Sequence, residues 1–239
     1  MDVFETADIA EFYRFVCGQN NAPTTTINWR VHSLVKKGVL QRVGRGKFRF
    51  GKSKIYIPEI LPKQKSLYGK IRKKFPFTGV CLWHTSVFNE FMRHQAGKYY
   101  HLVEVEKESV EAVFYFLKEK NLSVFLNPDS EILNKYIPEN KDVYIVKPLV
   151  SESPVQEIGG ITTVTLEKML VDIFCDETLF AAQQGAEMRT VFNEALGIYT
   201  VNQSKMLRYA DRRKKKQIFD DYLKTISNYR QHYQNRAIL

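Results

Sequence analysis

Apolar residues recur along the first quarter of this chain with two different periods. Ile9, Phe12, Tyr13 and Val16 stand at i, i+3, i+4 and i+7, which predicts a helix over roughly 7–17 with that stripe turned to a core. Thr6 precedes it as a cap and Gly18 ends it. Residues 19–23 are polar and turn-like. A second helix is expected from Thr24 or Thr25, with Ile27, Val31, Leu34 and Val35 inward and Gly38 closing it.

The period then changes to two. Val39–Val43 and Lys47–Phe50 read as strands about a tight Gly44-Arg45-Gly46 turn, whose glycines permit positive φ. In the return strand Phe48 and Phe50 are expected to close a small core, with Lys47 and Arg49 facing outward. Ile55, Tyr56 and Ile57 offer a further strand before Pro58. Helix, turn and two-stranded basic wing make a winged helix-turn-helix over 1–58.

Residues 59–74 follow as a basic connector. Leu67 and Ile71 at i and i+4 suit a short helix, which reads either as a solvated linker or as a phosphate contact. No acid lies between Glu59 and Phe75, which tips the balance toward phosphate.

From residue 75 to 239 apolar runs alternate with helical stripes. Val80–Trp83, Tyr99–Glu106, Leu122–Leu126 and Val143–Val146 read as strands. Thr85–Gln95 and a stripe of Val110, Val113, Phe114 and Leu117 read as helices between them. That order predicts an α/β domain with a mixed sheet. After Gly159-Gly160 a helical part is expected. Thr165 would cap a helix carrying Leu166, Met169, Leu170, Ile173 and Phe174, and further helices would cover about 183–196, 203–210 and 217–229.

Charge sharpens this picture. The first 74 residues hold 16 Lys and Arg against 5 Asp and Glu, while the remainder hold 20 against 21. The whole net charge of +10 therefore sits in the segment with the wing, as an electrostatic footprint for phosphates would. On the second helix, the side opposite the core stripe carries Thr25, Thr26, Trp29, Ser33 and Lys36, with His32 at its edge. These groups suit base edges and phosphates in a major groove. Arg45 at the wing tip is placed for a minor-groove or phosphate contact. A second basic run, Arg212 to Lys216, reads either as a solvated helix end or as another polyanion patch.

Signals for chemistry are weak. Cys17, Cys81 and Cys175 lie far apart without paired spacing, which argues against a disulfide framework or a zinc site and for buried thiols in a reducing cytoplasm. The histidines have no metal spacing, and no phosphate-cradling glycine loop or nucleophile elbow occurs. No metal and no cofactor are expected. His84, at a strand end, reads as structural. Glu104 and Glu106 share a strand face, as paired acids in nucleases do, but Lys107 points the other way. An edge strand with solvated acids is the simpler reading, and a nuclease-like or nucleotidyl-handling enzyme stays as a rival. No apolar run reaches the length of a membrane span, and the acidic start MDVFETAD has no signal-peptide pattern.

The order of helix-turn-helix, LVKKGVLQRVGRGKFRF wing, α/β segment, TLEKMLVDIF and YTVNQSKMLRYADRR resembles the antitoxin-type transcriptional regulators of abortive-infection AbiE systems, over nearly the whole chain. The resemblance implies a bacterial cytoplasmic protein that binds double-stranded operator repeats upstream of its own operon and represses it. It also implies an antitoxin of a type IV pair, opposing a nucleotidyltransferase toxin without a stable complex, and no catalysis of its own. It nominates Thr25, Thr26, Trp29, Arg30 and Lys36 on the helix and Arg42, Arg45, Lys47 and Arg49 on the wing. In the α/β domain it nominates Glu167, Lys168, Asp172 and Arg212, without roles. Winged helices of that family often carry one more helix ahead of the first one here, so the small domain is expected to draw support from the connector or the α/β domain. A plain regulator whose C-terminal domain senses a ligand or dimerises is the other alternative.

Overall fold

Gly46, at φ +68°, turns the chain between two short strands, and Thr6 ties the first helix to that turn through its amide, 3.1 Å from the Gly46 carbonyl oxygen. The structure is a computed structural model that describes residues 3–18, 22–120, 122–137 and 142–226. The N-terminal unit comprises β1 (Phe4–Glu5), α1 (Thr6–Phe15), α2 (Thr24–Lys36), β2 (Leu40–Gly44) and β3 (Lys47–Phe50), with strand order β1-β3-β2. Thr6 is the first residue of α1 rather than its cap; Glu5 holds that position, its amide donating to Asp8 at 2.6 Å. The small core is Ile9, Ile27, Val31, Leu40 and Phe48.

Several inward assignments change here. Phe12 and Val16 of the first stripe are exposed, and so is Phe50. Of the stripe, Ile9 and Tyr13 carry α1 onto α2, with Ala10 beside them, because a two-helix unit has no second layer to cover the far side. Ile55–Ile57 is not a strand; it is extended chain whose Tyr56 is buried against Phe91 and Tyr199.

The connector is not a linker. α3 (Pro62–Lys74) starts with proline in its first turn and lays Gln64, Leu67 and Ile71 on the next sheet. That sheet has the order β4-β5-β7-β6, formed by β4 (Val80–His84), β5 (Tyr100–Val105), β6 (Ser123–Leu126) and β7 (Val143–Pro148). β4 runs antiparallel to β5, while β5, β7 and β6 are parallel, so the sheet is mixed. α3 and α4 (Val110–Lys118) cover one face, over Val80, Leu82, Val103, Val105 and Val146. Strands covered on both faces read as continuous apolar runs, as β4 does.

The other face is covered by the helical part: α6 (Leu166–Cys175), α7 (Ala186–Ile198), α8 (Gln203–Arg212) and α9 (Lys216–Thr225). A short α5 (Ser130–Lys135) and a hairpin of β8 (Val155–Ile158) and β9 (Ile161–Val164) complete the set. Neither the hairpin nor α5 was legible as an element in the sequence. The segment after β4 is a single 3-10 stretch, Thr85–Glu90, rather than a helix to Gln95. The start of the expected turn at 19–21 and the end of the expected last helix at 227–229 lie outside the described residues. Among the described residues, no helix is long and apolar enough to cross a membrane.

Candidate nucleic-acid interface and a buried ionic cluster

α2 places Thr25, Trp29 and Lys36 on its exposed side, with Trp29 69% exposed. Thr26, Ser33 and Arg30 are half-buried at the margins of that row, and the Arg30 guanidinium lies over the Tyr13 ring at 4.6 Å. On the wing, Arg42 and Arg45 are exposed, the former 5.3 Å from the Phe48 ring. Lys47 is exposed and pairs with Glu5 at 3.6 Å.

Arg49 departs from its expected outward position. It is 3% exposed, and its Nε donates to the Gln41 side-chain oxygen at 2.9 Å. The reason is tertiary: the wing face that would meet solvent in a free domain is covered here. Gln41 donates to the carbonyl oxygen of Val201 at 2.6 Å. Thr200 accepts from the amide of Lys52 at 2.7 Å, donates its hydroxyl to Gly38 O at 3.0 Å, and gives its own amide to Lys54 O at 2.8 Å. Lys54 lies over the Tyr199 ring at 4.7 Å. The strand pair that carries the wing is thus clasped by the segment entering α8. These bonds tie the small N-terminal unit to residues 199–201.

The residues nominated in the α/β domain separate into two groups. Lys168 and Asp172, one turn apart on α6, enter a buried ionic cluster. Lys168 Nζ lies 2.5 Å from Asp172 and 2.7 Å from Glu104. Trp83 Nε1 donates to Glu104 at 2.8 Å. Tyr209 Oη and Arg213 both donate to Asp172 Oδ1 at 2.8 Å. Glu167 and Arg212 lie outside that cluster. Glu167 accepts the amide of Asn202 at 2.7 Å, beside the cap of α8, and Arg212 pairs with Glu152 at the surface.

The solvated-edge reading of Glu104 is overturned. β5 is an inner strand, Glu104 is 2% exposed, and its lysine comes from α6 rather than from the next residue in sequence. Glu106 lies just past the strand end and is exposed, so the two acids do not form a pair. Nothing in the local sequence of β5 encodes the Lys168 partnership, 64 residues away.

Electrostatics explain why this cluster holds its charges. Burial pulls the Lys168 ammonium down, but the carboxylates of Asp172 and Glu104 outweigh it, and the lysine is held well above its ordinary range. For Asp172, burial pushes upward and the cations Lys168, Arg213 and Lys147 outweigh it, leaving the carboxyl below the usual aspartate range. Burial and the Glu104 carboxylate drive the Cys81 thiol up, which leaves it an inert buried group. Cys17, expected to be buried, is exposed.

The basic run after α8 is divided in the same way. Arg213 turns in to Asp172, Lys215 donates to the Cys175 carbonyl at 3.3 Å, and Arg212 is paired. It is therefore a helix junction tied to α6, with Lys214 and Lys216 left exposed. His84 accepts the Ser86 amide at 3.4 Å and lies against the tilted His101 ring at a centroid distance of 4.4 Å; burial and His101 lower its pKa to about 4. Among the described residues, no three His, Cys, Asp or Glu side chains converge as a metal-ligand set.

No curated protein matches the chain. One family model does, and it spans residues 26–229, from the first turn of α2 through the wing and clasp to the end of the described helices. Wing, clasp and ionic cluster thus fall within the matched span, and the chain belongs to the family described as a family of unknown function, DUF6577.

Proposed function

We propose that this protein is a sequence-specific DNA-binding autorepressor, and that it serves as the antitoxin of a type IV pair whose toxin is a nucleotidyltransferase. The observation that carries the DNA reading is the exposed row of Thr25, Trp29 and Lys36 on α2 beside a wing tipped by Arg45, in the part of the chain that holds all the net charge. A helix N-terminal to a basic β-ribbon, each with free polar groups, suits a major groove and its flanking phosphates. The antitoxin part rests on the resemblance of the wing, LEKMLVD and YADRR segments to regulators of abortive-infection AbiE systems. Glu104 is engaged by Lys168 and Trp83 in the core, which favours a binding protein over an enzyme built on that acid.

Fluorescence anisotropy tests the first part, using DNA from just upstream of the start codon against scrambled DNA of equal length at two salt concentrations. Tight, sequence-selective and salt-dependent binding is expected. Equal binding to both DNAs would refute the reading. The second part is tested by co-expression with the neighbouring gene product: an antitoxin restores growth, and a plain regulator does not.

A further inference from the structure

We propose that the outward face of α3, together with Phe77, binds a single-stranded nucleic acid at a site separate from the wing. α3 packs through Gln64, Leu67 and Ile71, and its opposite side presents Lys65, Lys70 and Lys73. No acidic residue occurs between Glu59 and Glu90. Among the described residues, none of these three lysines has an ion-pair partner. The helix dipole accounts for cations in the last turn, Lys73 and Lys74. Near the start, where the helix end is itself positive, Lys63 is accounted for by its pairing with Asp142, but Lys65 is not.

Gly69 lies at the middle of the same exposed face. A Cβ there would meet nothing within 4 Å, so internal packing does not require the glycine, although glycine weakens a helix interior. A bare Cα does allow a ligand backbone to approach closely. Gly69 also borders an open groove of about 660 Å³ between α3 and the β8–β9 hairpin, with Tyr68 and Arg72 on its α3 wall.

Phe77 supplies the second observation. It is 96% exposed, yet its loop is anchored on both sides. Phe75 packs edge-on against Phe116 at 5.6 Å. Thr78 is buried, accepts from Arg72 at 2.7 Å and shares a hydroxyl hydrogen bond with Ser109 at 3.0 Å. The ring is therefore held out in water by a fixed backbone, next to the lysine-rich end of α3. Cations along a track with an aromatic platform beside them are what a single strand requires, since its phosphates pair and an unstacked base can cover the ring. A duplex has no free base face to offer.

The test uses the full-length protein with fluorescently labelled 12-nucleotide single strands of mixed sequence, as RNA and as DNA, and with the upstream duplex. Single strands should bind, and Phe77→Ala should weaken them about tenfold or more while leaving the duplex unchanged. The triple change Lys65→Gln, Lys70→Gln and Lys73→Gln should lower the salt slope for single strands by about two. Gly69→Leu should weaken single strands while raising the thermal midpoint. Arg45→Ala should do the reverse of Phe77→Ala, weakening the duplex alone. Single-strand affinity unchanged in Phe77→Ala and in the lysine triple variant would overturn the proposal, as would single-strand binding lost through Arg45→Ala instead.

Discussion

Gln41 of the wing donates its side-chain amide to the main-chain carbonyl of Val201, 160 residues further along, at 2.6 Å. That bond continues on both sides. Gln41 also accepts from Arg49, and one residue past Val201 the amide of Asn202 donates to Glu167 on the helix that carries Lys168 and Asp172. The wing is therefore tied to the helix that carries the ionic cluster.

The clasp admits no added atom at Gly51. A Cβ there would sit 2.1 Å from Gly38 O and 2.7 Å from Thr200 Oγ1. Gly51→Ala must push the wing from α8 and is expected to cost about 3 kcal/mol or more, on the scale of overpacked buried sites. Gln41→Ala should cost about 1–3 kcal/mol by stripping buried partners of a hydrogen bond. Urea midpoints measure both, and a change within 0.5 kcal/mol, the scatter of about any surface substitution, would refute the clasp.

Within the cluster, Lys168→Met leaves Glu104 and Asp172 buried beside one cation fewer. A loss of about 3–5 kcal/mol is expected. The double change Lys168→Met with Glu104→Gln should be less destabilising than the sum of the two single changes. Strict additivity in that double-mutant cycle would show the two groups to be uncoupled.

Duplex binding should separate the basic residues of α2 and the wing. Arg45→Ala and Lys36→Ala should each flatten the dependence of log K on log salt by about one. Arg49→Ala should leave that slope alone and lower the denaturation midpoint instead, because its guanidinium faces Gln41 in the clasp. A slope change on Arg49→Ala would place it at the DNA.

His84 gives stability a pH dependence of known sign. Its ordinary value is 6.5 and burial together with His101 lowers it to about 4 in the folded chain, with Asp142 opposing. The unfolded chain therefore takes up the proton first as pH falls. Stability from this group is full above about 6.5 and declines between there and about 4. His84→Asn keeps an acceptor for the Ser86 amide and should flatten that decline. Urea midpoints at pH 7, 6, 5 and 4.5, chosen as roughly spanning the window, would expose an unaltered profile if the assignment were wrong.

Short-range pattern was enough for much of this molecule. Alternating residues about Gly44-Arg45-Gly46 marked the wing, and the apolar runs of β4, β5 and β7 marked strands of a mixed sheet, because strand period and turn chemistry are local properties. The cap Thr165 was legible for the same reason: its side chain serves an amide three residues on. The one-ended charge followed from counting alone. What the sequence could not contain was which faces would meet. Arg49 is as polar as Lys47, and only the docking of Thr200 and Val201 makes one a buried partner and the other a surface cation. Leu67 and Ile71 are too sparse a stripe to distinguish a linker from a core helix until a sheet lies beneath them. Glu104 looked solvated because its strand neighbours say nothing of Lys168, which arrives on a helix 64 residues later. Local period is set by the backbone, whereas the pairing of buried charges is set by burial itself, and burial exists only once the layers have closed.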